Sequence, residues 1–212
     1  MPRLVDHARR RAELLSATWR VVRARGVEGT TTRAIADEAG CSLSVLAHFL
    51  GGKDEILMAA QTAVYDRIVE RAFALGGSLY GLAALRAALE AVLPLDEERA
   101  ADAHVNVAFA GAALSNPRLA EARRGSHERI RALLLTCLAE ARERGELRPG
   151  VVDEDVVDDF IVVVEGGTLL TLVDARTEPD GNTARLHRIA TTFVESLRTA
   201  ARTDSPTTFR TV

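Results

Sequence analysis

One stretch, Thr31–Lys53, constrains the fold of this chain more than any other. It reads TTRAIADEAGCSLSVLAHFLGGK and predicts two short helices joined by a turn at Gly40. Ala36 is small enough to let the two helices approach closely, and Gly40 can adopt the left-handed conformation that a sharp turn requires. The positions expected to be buried carry small or apolar residues: Ile35, Ala36, Ala39, Cys41, Leu46 and Phe49. The pattern predicts a helix-turn-helix over residues 31–50.

The rest of the chain is also predicted to be helical. Hydrophobic residues make up 47% of the full chain and aromatic residues 4%, and the abundant Ala, Leu, Arg and Glu favour helix. No run of alternating β-branched residues is long enough to propose a sheet. Apolar spacing, caps and Gly or Pro breaks predict helices at about 7–25, 32–39, 42–50, 53–75, 82–93, 96–114, 117–144, 153–175 and 183–202. We therefore expect an all-α fold of about nine helices.

Composition changes along the chain and suggests two domains. Residues 1–53 carry nine Arg or Lys against five Asp or Glu, whereas residues 54–212 carry eighteen against twenty-five. A basic N-terminal unit on an acidic body is typical of a DNA-binding head with a regulatory domain, the alternative being a chance excess of surface arginines. We expect a head at 8–68, a glycine-rich flexible joint at 76–81, a helical regulatory and dimerisation domain at 76–202, and a disordered tail at 203–212.

Several other protein classes are disfavoured. The N-terminal region has no signal peptide and no apolar run is long enough to span a bilayer, so we expect a cytoplasmic protein. Cys41 and Cys137 fall on apolar helix positions, as expected of packed thiols. The cysteines and five histidines lack metal-ligand spacing, and there is no nucleophile elbow or phosphate loop. Neither an enzyme, a metal site nor a cofactor is predicted.

The N-terminal motif resembles that of the TetR family of bacterial transcriptional regulators. It consists of Gly26, Thr30–Thr32, Ile35–Ala36, Ala39–Gly40, the segment 42–50 and Lys53, and the resemblance covers about residues 8–68. The stretches PLDEERAADAHV, ALSNPRLAEA, ARERGELRPG and VVEGGTLLTLVD, at 94–105, 113–122, 141–150 and 163–174, resemble the body of the BetI-type subgroup. The resemblance implies a homodimeric repressor that a small molecule releases from a palindromic operator.

The chain departs from its relatives at positions that matter for recognition. Most relatives carry an aromatic residue, usually Tyr, where this chain has Ala47. Asn106 and Ala110 replace aromatic residues that are common in the subgroup. The choline response of the eponymous member should not be transferred, because a quaternary ammonium requires several aromatic faces.

Eleven residues of the head are candidates for DNA contact. Thr31, Thr32, Ser42, Phe49 and Lys53 are expected to contact or brace phosphates, and Arg33, Leu43, Ser44, Val45, Ala47 and His48 to face bases. The aliphatic members can contact thymine methyls but cannot donate to guanine. Arg33 is the best guanine reader, with a phosphate contact as its alternative, and His48 either hydrogen-bonds DNA or is solvated or packed across helices.

Lys53 is the only lysine of the chain and is predicted to lie in the first turn of a helix. The helix dipole disfavours a cation there. A DNA phosphate at the same place would offset that cost, and the alternative is a solvated lysine balanced by Asp54 and Glu55.

The C-terminal half is predicted to bind a small molecule and to dimerise. Helices at 82–144 should enclose a pocket, for which the candidates are His104, Asn106, Phe109 and Glu165; each has the alternative of a satisfied buried or surface residue. Helices at 153–175 and 182–202 should pair with their symmetry mates through Phe160, Ile161, Val164, Thr168, Leu186, Ile189, Phe193 and Leu197. The apolar reading face leaves a second hypothesis open, a ligand- or protein-binding helical module with a degenerate DNA-binding head.

Overall fold

The structure, a computed structural model, describes residues 2–173 and 179–199. This described part consists of helices and their connections, with one isolated antiparallel bridge between Leu147 and Arg198. The helices are α1 (Pro2–Arg25), α2 (Thr32–Glu38), α3 (Leu43–Leu50), α4 (Lys53–Gly76), α5 (Gly81–Val92), α6 (Glu97–Ala113), α7 (Pro117–Glu143), α8 (Asp153–Val173) and α9 (Pro179–Leu197). The predicted all-α fold is confirmed.

The head is built from α1, α2, α3 and the first half of α4. Its core contains Leu14, Ile35, Leu46 and Ile56, each almost completely buried. Trp19 on α1 donates its indole N–H to the backbone carbonyl of Ala60 on α4 at 2.9 Å. These contacts hold the helix-turn-helix against α4.

The body is built from α5, α7, α8 and α9. Its core includes Leu85, Leu89, Leu138, Val157 and Leu186, all completely buried. The antiparallel bridge and the hydrogen bond from Arg148 N to Leu197 O (2.9 Å) join the end of α9 to the segment after α7.

Head and body share α4 and are not separated at the predicted glycine joint. Phe109 of α6 and Leu119 of α7 belong to the same buried cluster as the head residues. The segment 76–81 instead connects α4 to α5 within the body. The domain bounds stay a prediction, and α4 contributes buried residues to both core clusters.

The helix ends agree with the prediction within two residues except at the start of α1, which begins at Pro2 instead of residue 7, and around α9. The predicted loop at 179–182 lies inside α9, which begins at Pro179. Proline is compatible with the first helical turn because the N–H that it lacks has no partner there. The predicted disordered tail at 203–212 lies outside the described residues.

Candidate functional site

Side-chain caps fix the start of both helices of the helix-turn-helix. The Thr31 hydroxyl accepts a hydrogen bond from Ala34 N at 3.1 Å, and the Ser42 hydroxyl accepts one from Val45 N at 3.3 Å. Gly40 between the helices has φ +60°. That left-handed conformation carries a steric cost for a residue with a Cβ, so glycine defines the turn.

The residues predicted to pack the motif divide into two groups. Ile35, Ala36 and Leu46 are buried, whereas Ala39, Cys41 and Phe49 are half-buried. Cys41 is thus more accessible than a core position would be. The buried group holds α2 and α3 in place and leaves the opposite side of α3 open.

The open side of α3 presents mainly methyl groups and hydroxyls. Ser44, Ala47 and His48 are exposed, Leu43 is 45% exposed and Val45 is half-buried. The hydroxyls of Ser42 and Ser44 lie 2.9 Å apart, in hydrogen-bond contact with each other. A surface of this kind offers apolar contacts and neutral hydrogen bonds. Because α3 contains no Arg or Lys, an arginine or lysine beside this surface must come from another segment.

Two cationic side chains flank the open side of α3. Arg33 on α2 and Lys53 at the start of α4 are exposed, and within the described residues neither forms an ion pair. The neighbours of Lys53, Asp54 and Glu55, lie 3.4 and 3.5 Å from Arg118 Nη1. Their negative charge is therefore shared with an arginine of α7.

The C-terminal end of α3 is fastened to α1 by contacts that the sequence pattern did not indicate. Arg11 donates to the backbone carbonyl of Phe49 at 2.9 Å, and the His7 ring lies 4.6 Å from the Phe49 ring. The His48 ring meets Phe49 edge-on at 5.1 Å. Phe49 thus braces α3 from within the protein. Only the packing of α1 on α3 reveals these roles for His7 and Arg11.

A cavity of about 40 Å³ lies within the body, between α4, α5, α6, α7 and α8. Most of its wall is aliphatic, and its polar residues are Tyr65, Asn106, His127 and Glu165. Asn106 and Glu165 were predicted from their polarity on apolar helices, whereas Tyr65 and His127 were not. The aliphatic and aromatic remainder of the wall is Ile68, Val69, Ala72, Ala88, Val92, Ile130, Leu133, Leu134, Phe160, Ile161 and Val164.

One arginine organises the polar end of the cavity. Arg123 on α7 donates to Asn106 Oδ1 at 3.0 Å and to Glu165 Oε1 at 2.5 Å. Tyr65 Oη lies 3.1 Å from His127 Nε2. Burial lowers the pKa of His127, and the nearby Arg123 charge lowers it further against the opposing effect of Glu165. Burial likewise raises the pKa of the Tyr65 phenol, so this end combines neutral polar groups with one compensated ion pair.

Gln61 is a second buried polar group on the same helix face as Tyr65. It is 1% exposed, and neither side-chain amide atom has a hydrogen-bond partner in the described part of the chain. A buried amide without partners costs free energy. One helical turn separates it from Tyr65, and nothing in the sequence pattern marked it.

The structure places His104 and Phe109 outside this cavity. His104 is exposed on α6, with Nδ1 3.1 Å from its own helix's Ala100 carbonyl oxygen. Phe109 is completely buried, but in the head cluster. Successive helix positions rotate by about 100°, so the Asn106 side chain faces the cavity while His104 points the other way. Polarity alone could not distinguish those faces.

The predicted dimer residues differ from the surface that α8 leaves open. Phe160, Val164, Thr168, Leu186 and Leu197 are buried within the single chain, and Ile161, Ile189 and Phe193 are half-buried. The exposed apolar side chains of α8 lie on another face, the α8 outer stripe, which consists of Val162, Gly166, Leu169, Leu170 and Val173. A helix that is apolar nearly all round conceals which side packs inward.

Comparison with known proteins agrees with this architecture. The family model described as BetI-type transcriptional repressor, C-terminal, matches residues 82–199, and the model described as bacterial regulatory proteins, tetR family, matches residues 14–60. The HTH-type transcriptional regulator PksA of Bacillus subtilis is 31% identical over 200 residues, covering 93% of this chain and 94% of PksA.

Solved structures show the same fold. A transcriptional regulator from Rhodococcus sp. Rha1 has a TM-score of 0.74 at 28% identity, covering 90% of this chain and 99% of its own. A transcriptional regulator from Saccharomonospora viridis in complex with choline has a TM-score of 0.76 at 17% identity, covering 89% and 96%; at that identity the likeness concerns the fold alone.

The matching families and relatives are regulators of transcription and not enzymes. In the described residues, no helix is long and apolar enough to cross a membrane, and no group of His, Cys, Asp or Glu is suited to a metal ion. The DNA-binding head and the BetI-type body together identify the chain: it belongs to the TetR family of transcriptional regulators.

Proposed function

We propose that the protein is a homodimeric repressor that leaves a palindromic operator when a small molecule enters the cavity at Tyr65. The observation that carries the proposal is the course of α4. One end of this helix bears the exposed Lys53 beside the helix-turn-helix, and Tyr65 and Ile68 further along form part of the cavity wall. A single helix thus connects the two candidate sites. The repressor would act in the cytoplasm, where it would bind its operator.

At the DNA, we assign base contacts to the open side of α3 and to Arg33. Leu43, Val45 and Ala47 would contact thymine methyls, while Ser44 and His48 would supply hydrogen bonds. Arg33 would donate to guanine or to a phosphate. Because α3 carries few charged groups, sequence-dependent DNA shape should contribute to specificity as well.

Phosphate contacts would surround those base contacts. Thr31, Thr32 and Ser42 lie at the start of α2 and α3, where backbone N–H groups favour an anion. Lys53 would add a cation at the start of α4, and Phe49 would brace α3 against α1. These contacts would set the orientation of the head on the duplex without reading its sequence.

For the dimer, we assign the interface to the α8 outer stripe together with the half-buried residues of α9. Val162, Leu170 and Val173 are 69%, 59% and 73% exposed, which is costly for a run of apolar side chains on one helix. Gly166 in the middle of the stripe leaves open space for another helix to approach. The half-buried Ile161, Ile189 and Phe193 remain candidates at its margin.

Ligand binding would act on DNA affinity through the separation of the two heads. Two recognition helices in successive major grooves must lie about 34–36 Å apart. A ligand that displaces α4 changes that spacing, and its preference for the displaced state determines how much DNA affinity is lost.

The decisive experiment selects bound sites from random DNA with the purified full chain and then measures affinity by gel shift at several salt concentrations. We expect a palindromic site whose affinity falls steeply with salt, as phosphate contacts require. Arg33→Ala should weaken binding to the selected site. Arg124→Ala, an exposed arginine on α7, is the matched control and should leave DNA affinity unchanged.

Two results would contradict the proposal. If the protein shifts no DNA in the gel at low salt, the alternative hypothesis of a ligand- or protein-binding module with a degenerate head is favoured. If binding is retained but does not depend on salt, the phosphate assignments at Thr31, Ser42 and Lys53 are wrong.

A further inference from the structure

The cavity at Tyr65 has an immediate neighbour. A second cavity of about 160 Å³ lies between α4, α5 and α7, toward the 76–81 connection. The two cavities share three wall residues, Ala72, Ala88 and Leu133. We call them the inner and the outer compartment.

The wall between the compartments is thin and made of small side chains. Ala72 and Ala88 are nearly buried, and each ends in a single methyl group. Leu133 is half-buried and can move between rotamers. Each compartment alone is smaller than the roughly 300 Å³ at which ligand pockets begin. A ligand of ordinary size must therefore occupy both and widen the space between α4, α5 and α7.

The outer compartment opens to solvent through an apolar mouth. Phe73, Leu79 and Tyr80 line it and are 64%, 47% and 51% exposed. Three large apolar side chains around one opening are unusual for a solvated turn and offer a first contact for an apolar molecule. The Arg144 guanidinium lies 4.9 Å from the centre of the Tyr80 ring and shields part of it.

The inner compartment ends in polar groups whose charges are already balanced. The Arg123 cation is paired with the Glu165 carboxylate, and these side chains are 13% and 31% exposed. A ligand carboxylate would compete with Glu165 for Arg123, and a ligand cation would compete with Arg123 for Glu165. Either would leave a partly buried charge without its partner, at a cost in free energy. Tyr65, Asn106 and His127 can instead serve a neutral donor or acceptor.

We propose that the effector is an elongated apolar molecule with one neutral hydrogen-bonding end, such as an alcohol, a ketone or an ester. It enters between Phe73 and Tyr80, its chain crosses the wall at Ala72 and Ala88, and its polar end lies at Asn106 and His127. The inference rests on the proposed function, because it names the ligand class of the same regulatory cavity. A quaternary ammonium is disfavoured at the polar end of the inner compartment, because the Arg123 cation already lies 6.0 Å from the centre of the Tyr65 ring.

Calorimetric titration of the full chain, without DNA, tests the ligand class. Three probes of one chain length differ only in the end group: 1-decanol, decanoate and decyltrimethylammonium. We expect 1-decanol to bind at least tenfold more tightly than either charged probe. In the series from 1-butanol to 1-decanol, affinity should rise about fourfold per methylene while each carbon enters the compartments.

Two variants test the continuous path. Ala88→Phe should close the wall and reduce 1-decanol affinity at least tenfold, while an unchanged helical circular dichroism spectrum shows that the variant is folded. Thr136→Trp fills the outer compartment from an exposed position and requires no change in the core. It should reduce 1-decanol affinity as well.

Tighter binding of either charged probe would overturn the proposed class. Undiminished 1-decanol affinity in both Ala88→Phe and Thr136→Trp would overturn the path. Gel shift with the selected operator distinguishes a failure of the proposed ligand class from a failure of the proposed function. A chain that binds the operator but no alkanol refutes only the ligand class, and a chain that binds alkanols but no DNA refutes the repressor.

Discussion

At the scale of single residues, the polar end of the inner compartment depends on groups that titrate or carry charge. His127 contacts Tyr65 and lies 4.0 Å from Glu165 and near Arg123. Because the pKa of His127 is lowered in the folded chain, the unfolded chain binds its proton more readily. The neutral His127 therefore lowers the free energy of unfolding only when it must be protonated. The free energy of unfolding keeps its full value above about pH 6.5 and decreases as pH falls from there toward the folded pKa.

We therefore expect the melting temperature to fall between pH 7.5 and pH 5.5, and to fall less in His127→Asn. Thermal denaturation at closely spaced pH values measures this difference. Glu98, whose pKa is lowered by hydrogen bonds from Arg67 and Arg71, titrates below that interval and does not obscure it. Equal slopes in the wild type and in His127→Asn would show that His127 is not kept neutral by its surroundings.

Lys53→Ala should weaken the binding of all DNA sequences alike. Its proposed contact is to a phosphate, so the slope of log affinity against log salt should decrease in magnitude by about 1 for each operator half-site. Gel shifts on the selected operator and on unrelated DNA measure both effects. Lys53→Arg is the matched variant and should retain most of the affinity. A loss confined to the selected operator would mean that Lys53 reads bases.

Gly40→Ala should reduce the free energy of unfolding by on the order of 1 kcal/mol, because φ +60° is strained for a residue with a Cβ. Urea denaturation measures the change. Gly125→Ala is the matched control: Gly125 lies inside α7, where an added Cβ meets nothing within 4 Å, and alanine there should stabilise the helix by up to about 1 kcal/mol. A neutral or stabilising Gly40→Ala would contradict the turn geometry.

At the scale of helices, the sequence predicted where each helix begins and ends better than it predicted which side of the helix packs inward. Spacing, caps and breaks indicated α2, α3, α6 and α7 nearly to the residue. In the structure Thr31, Ser42 and Asn116 accept hydrogen bonds from backbone N–H groups of the first turn, and so does Asp96, which was expected inside α6. The same reasoning failed for α8. Apolar residues surround that helix, so periodicity could not separate the inward Phe160 from the outward Val162.

Leu170→Arg should convert the proposed dimer into a monomer, because it places a charge in the α8 outer stripe. Sedimentation or light scattering measures the mass, and gel shift should show loss of operator affinity in parallel. Leu114→Arg is the matched control, since Leu114 is a 92% exposed leucine at the end of α6, away from the stripe. A dimer that survives Leu170→Arg would place the interface elsewhere.

At the scale of the whole molecule, the domain sequence was predictable and the junction was not. The basic head and acidic body followed from charge counts. The junction depends on packing between distant segments: Phe109 and Leu119 join the head core, and Arg118 joins Asp54 and Glu55. Such contacts carry no local signal. For the same reason the sequence indicated Asn106 and Glu165 but missed Arg123, the residue that connects them.

Because the chain has a single lysine, reagents specific for lysine act on one side chain, which lies beside the helix-turn-helix. A lysine-specific protease has one possible cleavage site, after Lys53, in the first turn of α4. Arginines elsewhere offer that protease no competing sites. Cutting would separate the chain into two fragments of known mass. An amine-reactive label on that side chain would likewise report operator occupancy without an engineered tag, the terminal α-amino group being the other amine that reacts.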